Sequence, residues 1–348
     1  MPFDCSAVLF GCSAGCDGNG GETSAEAVMD DREKSGLSRR ALLRRATVVA
    51  SVAAGVALVP AVAEAEGHQV DTPVPEPVPP QVPATEGTVD VPGGHLWYWD
   101  TGGEGPVVVL VHAASGSAES WPYQQPVLAR AGYRVVGYSR RGHYGSSGFS
   151  DDDAPVGAED LRAVADHLGL GRFHLVCAAL GGYYATDYAL LYPERVRSLA
   201  VISSFMAIQE PEFLDTITAL RPPEFDTLPT YVKEVSPSYR AANPEGLRHW
   251  RDIADWARLP GSAYRHVVVN DITWSKLATL TPRTLLVTGG SDLYLPPPVM
   301  RSIAEHIPRC STAVLPETGH GANWETPSPF NRLLLRFLAG ARTRPGGH

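Results

Sequence analysis

Positive charge is scarce in this chain. Its 348 residues carry 29 Lys and Arg against 38 Asp and Glu, a formal net charge of −9. A surface of that sign repels phosphate backbones and anionic lipid, so neither nucleic acid nor a charged membrane is expected as a partner. Charged residues of both signs make up only 19%, while 44% are hydrophobic, the balance of a packed domain rather than a disordered one. Cysteine is scarce too. Of the five, Cys5, Cys12 and Cys16 lie in an N-terminal stretch without fold pattern, leaving Cys177 at the carboxyl end of one strand and Cys310 just before the start of another. Opposite edges of a parallel sheet are too far apart for a bridge, so both thiols are expected free. Internal repeats are absent. His112, His143 and His320 do not fall at metal-ligand spacing, and Gly142-x-x-Gly145 and Gly289-Gly290 lack the form of a dinucleotide fingerprint. No metal and no cofactor is therefore expected.

The first 65 residues do not read as fold. Ser38-Arg-Arg-Ala-Leu-Leu-Arg44 precedes an uncharged run from Ala46 to Ala63, and Ala61-Val-Ala63 and Ala63-Glu-Ala65 both offer small-x-small cleavage sites. The segment resembles a twin-arginine export signal, which predicts a secreted or extracytoplasmic protein. So Ala-rich and short a run partitions weakly into lipid, and no stable membrane anchor is expected. Met29 opens a plausible complete signal, which makes it a candidate initiator beside Met1. Residues 66–86, with Thr72-Pro-Val-Pro-Glu-Pro-Val-Pro-Pro-Gln-Val-Pro83, read as an extended, solvated linker.

From residue 87 to 348 the pattern is that of one domain. Thr88 to Val91 and His95 to Asp100 flank Pro92-Gly-Gly94 as a hairpin. Strands follow at Val107–Val111, Tyr133–Tyr138, Phe173–Val176, Leu199–Ile202, Thr284–Thr288 and Thr312–Leu315, several of them buried apolar runs, separated by helical stretches such as Val156–Leu168. That alternation predicts an α/β class, a doubly wound and mostly parallel sheet. It stops from about 205 to 276, where prolines punctuate short helical pieces; this reads as a mainly helical cap insertion. Its aromatic residues (Trp250 and Trp256 among them) are expected to pack a lid and in part to line an apolar pocket. Nothing in the sequence sets an oligomeric state.

The sharpest local signal is Phe173-His-Leu-Val-Cys-Ala-Ala-Leu-Gly-Gly182, a strand, a glycine corner and then a helical pattern. That is the setting of a Gly-x-Ser-x-Gly nucleophile elbow, yet the nucleophile position, 179, holds alanine. Cys177 is two positions early and expected to point into the core, and Ser139, Ser203 and Ser204 read as turn or capping residues. His112-Ala-Ala-Ser-Gly-Ser117, Arg141-Gly-His-Tyr-Gly-Ser146, the elbow, Asp292 in Thr288-Gly-Gly-Ser-Asp292 and His320 in Glu317-Thr-Gly-His320 come in one order on matching elements. Over roughly residues 86–340 the chain thus resembles the α/β-hydrolase superfamily. The resemblance implies that Asp292 orients His320 as a general base, that the amides of Leu180 and Ala114 (or Ala113) form an oxyanion hole, and that Ala179 leaves the nucleophile position vacant. It implies a hydrolase of a small carbonyl compound, such as an ester, a lactone or a carbon–carbon bond, that works without an acyl-enzyme. Two other readings stay open: a cofactor-independent dioxygenase or lyase in which His320 abstracts a proton, and a non-catalytic binder of a small ligand. A protein–protein platform is a weaker third.

Overall fold

The structure, a computed structural model, describes residues 74–342. The predicted export leader with its paired arginines, both candidate initiators, Cys5, Cys12, Cys16 and the first residues of the predicted linker lie outside those residues. Eight strands form one sheet: β1 Thr85–Val91, β2 Gly94–Asp100, β3 Val107–Val111, β4 Arg134–Tyr138, β5 Phe173–Ala178, β6 Val196–Ile202, β7 Arg283–Gly289 and β8 Cys310–Leu315. Their spatial order is β1-β2-β4-β3-β5-β6-β7-β8. The β1–β2 hairpin and the β2–β4 pair are antiparallel; every other pair is parallel.

The central parallel strands are largely apolar because both of their faces are covered, whereas the edge strand β8 is mostly exposed. Val109, Val111, Leu175 and Cys177 pack on the side that holds the helices Gly157–His167 and Gly181–Leu191. Val108, Leu110, Val176 and Ala178 face the opposite layer, with Leu128 and the C-terminal helix residues Phe330, Leu334 and Phe337. The period of two along each strand sends successive side chains to opposite layers. Chain order reverses at β3, whose neighbours are β4 on one side and β5 on the other. In an open α/β sheet such a switch point opens a crevice at the carboxyl ends of the strands, here after Val111 and Ala178.

Between β6 and β7 lie the helices Pro211–Ala219, Thr230–Glu234, Pro237–Ala242, Pro244–Ala257 and Trp274–Leu277. Pro211, Pro237 and Pro244 each start a helix, where a missing N–H costs nothing, so the prolines that interrupt the pattern begin its pieces. Beyond Ala257 the insertion is largely irregular, with isolated bridges, up to the helix Trp274–Leu277. The hydroxyl of Tyr184 accepts from the His266 amide, and the Asp187 carboxylate accepts from the amides of Val269 and Asn270, so the elbow helix holds this return segment down.

Two sequence expectations are corrected. The first strand starts at Thr85, inside the segment read as linker and two residues before the expected domain start at 87. The proline-rich stretch is also not a solvated spacer where it is described. The Glu76 carboxylate accepts from the amide and hydroxyl of Ser328 (3.1 and 2.5 Å), Tyr123 donates to the Glu76 carbonyl, and Gln125 exchanges two hydrogen bonds with the backbone of Val82. Prolines remove donors but leave carbonyls, and Arg130 and side chains of the first helical layer reach those carbonyls instead. Cys177 is buried, Cys310 is part-buried, and both are free. Among the described residues no helix is long and apolar enough to cross a membrane.

Candidate active site

β5 ends at Ala178, and the chain turns into the helix Gly181–Leu191 through Ala179 and Leu180. Ala179 adopts φ +46°, a left-handed conformation that costs a residue with a Cβ on the order of 1 kcal/mol. The turn is held by the Ala179 amide donating to Ile202 and by Gly182 donating to Ala179. No Cβ fits at the corner: one on Gly181 would lie 2.5 Å from the His112 carbonyl, and one on Gly182 would lie 2.3 Å from Ser204 Oγ. The backbone of an exposed-nucleophile turn is therefore intact around a methyl group.

Across the crevice, His320 Nδ1 donates to both oxygens of Asp292 at 2.9 and 3.0 Å. Asp292 Oδ1 also accepts from the amides of Tyr294 and Leu295, and Oδ2 from the Thr288 hydroxyl. Burial pushes the Asp292 carboxyl up, but the His320 charge, its hydrogen bond, the Leu295 amide and nearby Ser203 outweigh it and hold the carboxyl below its usual value. Burial works against the His320 cation, yet the Asp292 charge and hydrogen bond, with Glu234 and Glu325 behind them, raise the imidazole above its usual value. With Nδ1 committed to Asp292, Nε2 is the nitrogen left for chemistry.

Two small chambers, each of about 50 Å³, flank the vacancy. One is lined by His112, Ser115, Trp250 and Trp324, the other by Ala114, Leu180, Tyr183 and Tyr294; Ala179, Glu234 and His320 line both. The structure thus brings Ala179, Leu180, Ala114, His320 and, behind His320, Asp292 to one place. Among the described residues neither the Leu180 nor the Ala114 amide donates a hydrogen bond, and the first sits at the positive end of the elbow helix. The Ala113 carbonyl accepts from Gly116 and from the Arg140 guanidinium, which pins the loop although position 113 is not glycine.

The remaining candidates serve structure. His112 Nε2 accepts from the Arg140 amide, and His143 packs edge-on against it at 4.6 Å; burial lowers both, His143 to about 3, so both rings are neutral. Arg141 forms a two-pronged pair with Asp160 at 2.9 and 2.7 Å. Ser139 Oγ accepts from the Ala118 amide and Ser204 Oγ from the Met206 amide, as turn residues do. Burial pushes the Cys177 thiol far up, and its Sγ lies 3.4 Å from the Ala200 carbonyl. Among the described residues no three His, Cys, Asp or Glu are grouped to hold a metal. Of the cap aromatics Trp250 lines one chamber and Phe205, where the insertion begins, the other; Trp256 is 74% exposed and borders a separate outer groove with Tyr144.

Two carboxylates were not found from the sequence. Glu234 reaches the crevice from the cap. Ser115 Oγ donates to its Oε2 at 2.5 Å, and its carbonyl accepts from the amides of His320 and Gly321 at 2.9 and 3.2 Å. Burial raises its carboxyl, against the opposing pull of His320, Ser115 and Lys233. Glu325, 1% exposed, joins the amides of Gly319 and Ser236, each at 3.0 Å, and so ties the histidine loop to the cap. Gly319 is required there, because a Cβ would meet the Ser236 nitrogen at 2.7 Å. The sequence signal for either was slight: an acid beside aromatic and aliphatic residues in Tyr231-Val-Lys-Glu-Val235 and in Ala322-Asn-Trp-Glu325.

A profile of the alpha/beta hydrolase family matches residues 108–333. The chain belongs to that family. It is similar to a 2-hydroxy-6-oxononadienedioate/2-hydroxy-6-oxononatrienedioate hydrolase of Burkholderia vietnamiensis, 27% identical over 69% of this chain and 90% of that protein. Another hydrolase of the same name, from Pseudomonas putida, is 27% identical over 73% of this chain and 93% of its own length. Among solved structures, a thermophilic esterase from Thermogutta terrifontis superposes with a TM-score of 0.60 at 24% identity, covering 75% of this chain and all of its own. An enol-lactonase from Burkholderia xenovorans does so with 0.58 at 21%, covering 73% of this chain and all of its own. At such identities the structural matches speak for the fold alone.

Proposed function

We propose that this member of the alpha/beta hydrolase family hydrolyses a small carbonyl compound (an ester, a lactone or a carbon–carbon bond beside a carbonyl) with water as the direct nucleophile. The observation that carries the reading is an oriented His320–Asp292 dyad facing Ala179, a residue with no atom that attacks. An acyl-enzyme at the elbow is closed to this chain. His320 Nε2 removes a proton from a water beside the Ala179 methyl, and that oxygen attacks the carbonyl carbon. The amides of Leu180 and Ala114 take the resulting oxyanion, and Asp292 stabilises the imidazolium. Hydrolysis of small substrates is supported by the names of the sequence relatives. The twin-arginine pattern supports export, with cleavage after Ala63 or Ala65.

Turnover of a panel of 4-nitrophenyl esters, lactones and 1,5-diketones by the protein beginning at Glu66, followed by mass spectrometry and oxygen uptake, tests the chemistry. His320→Ala is expected to lower kcat by about 10²–10⁴. Equal turnover by the variant would exclude the base. Oxygen uptake would favour proton abstraction instead, and tight binding of a ligand recovered unchanged would favour a binder.

A further inference from the structure

We propose that Glu234 is a second catalytic residue, the general acid that protonates the leaving group while His320 takes the proton from water. The assignment rests on the hydrolytic reading above and divides its acid and base work between two side chains. A serine hydrolase lets one imidazole carry the proton in both directions. Here the cap brings a carboxyl to the same cavity wall. Glu234 lines both chambers with Ala179 and His320, so a substrate carbonyl seated at the elbow lies between the two groups. Ser115, on the loop that supplies Ala114, fixes Oε2 at 2.5 Å; Oε1 makes no hydrogen bond among the described residues. The peptide carbonyl of Glu234 accepts the amides of His320 and Gly321, so the two side chains are set relative to each other by backbone rather than by a flexible lid.

The step balances. Water loses one proton to His320 Nε2 as its oxygen bonds to the carbonyl carbon, and the π pair moves to the carbonyl oxygen. As that pair returns, the bond from carbon to the leaving oxygen breaks, and Glu234 Oε1–H gives its proton to that oxygen. The products are the carboxylic acid and the alcohol. Transfer of the proton from the imidazolium to the Glu234 carboxylate, directly or through water, restores both groups.

The charges facing Glu234 are His320 and Asp292 on the sheet side and Lys233 on its own helix, with the Tyr294 phenol beside them. Burial favours the protonated carboxyl, and the Glu234 charge in turn raises His320. The pair therefore titrates as a unit, and the working form holds one proton between the two groups. Activity falls at low pH as the second proton binds and at high pH as the last one leaves.

The test compares 4-nitrophenyl, trifluoroethyl and ethyl acetates as probes with wild type, Glu234→Gln, Glu234→Asp and His320→Ala, using melting temperature as the fold control. Nitrophenolate leaves without a proton, so Glu234→Gln is expected to change its kcat by less than about threefold. Ethanol needs the proton, and its kcat should fall by about 10²–10³ with KM little changed. Glu234→Gln should also lose the basic limb of the pH profile and should not move the acid limb to lower pH, because that limb is the binding of a second proton and the pair already shares one. Glu234→Asp should keep the basic limb. Uniform loss across the three esters, or an unchanged pH profile, would overturn the assignment while His320→Ala still upholds the hydrolytic reading. If none of the esters is turned over, or His320→Ala matches wild type on all three, both fall together.

Discussion

The two walls of the crevice have been kept to different degrees. On the elbow wall the backbone is complete: the left-handed residue, the two glycines without room for a Cβ and the helix N-terminus are all there, around a side chain that does nothing. On the histidine wall the side chains are complete as well. His320 is braced by Asp292, Asp292 by two amides and a hydroxyl, and the loop itself by Glu325 and the Glu234 carbonyl. A turn that needs strain to present a nucleophile has no structural use for that strain once the nucleophile is gone. Its survival is explained if the Leu180 amide still faces charge developing on a substrate oxygen. In the proposed mechanism the braced wall does the proton chemistry and the strained wall holds the oxyanion.

Restoring the missing atom is the largest test of that contrast. Ala179→Ser adds one oxygen to a backbone already in the required conformation. On activated esters it is expected to raise turnover on the order of 10³-fold and to give a burst of acyl-enzyme, readable by stopped flow and intact mass. A well-folded variant with no burst would mean that the amides, His320 and position 179 are not aligned, and the contrast between the walls would lose its basis.

How far this was legible beforehand follows from what each residue rests on. Parallel strands covered on both faces leave continuous apolar runs such as Val107–Val111, and an Asp or His just past the end of such a run has nowhere to go but the crevice. That made the central sheet, Asp292 and the vacancy at 179 readable, whereas His320, five residues past the mostly exposed edge strand β8, was readable from the order of the motifs. Glu234 and Glu325 stand where no strand end points to them. Glu234 is placed by how the cap folds back onto the histidine loop and Glu325 by the short helix Ala322–Glu325 that follows that loop, and neither short helix carries a register with the sheet. The described part of the proline-rich segment was misread for a related reason: its hydrogen bonds use backbone groups, which every sequence has, and the Glu76 carboxylate, whose partner Ser328 lies far along the chain.

Glu325 sharpens the braced side. Burial raises its carboxyl to about 7 although two amides donate to it. A folded-state value above the unfolded one of about 4.5 means that the folded protein holds a proton which the unfolded chain has released. Stability from this group is thus full below about pH 4.5 and declines as pH rises toward and through 7, by about 3 kcal/mol in all. Urea midpoints from pH 5 to 8 should fall accordingly in the wild type, and Glu325→Gln should remove that part of the slope. The same variant takes away a charge that raises His320, so the acid limb of activity should move down in pH.

The smallest effect expected belongs to Cys177, and it guards the claim that the elbow wall has no nucleophile. Its side chain points from β5 into the layer of Leu161, Ala185 and Tyr188, away from the chambers, and burial keeps the thiol protonated. A buried thiol of that kind behaves as a small apolar group. Cys177→Ala is therefore expected to cost about 1 kcal/mol in urea unfolding and to leave kcat within about twofold, and iodoacetamide should leave Cys177 of the native protein unmodified. A variant that unfolds no more easily yet loses turnover by orders of magnitude would put a reacting sulfur two residues from Ala179. The elbow would then be occupied after all, and His320 would be activating a thiol rather than water.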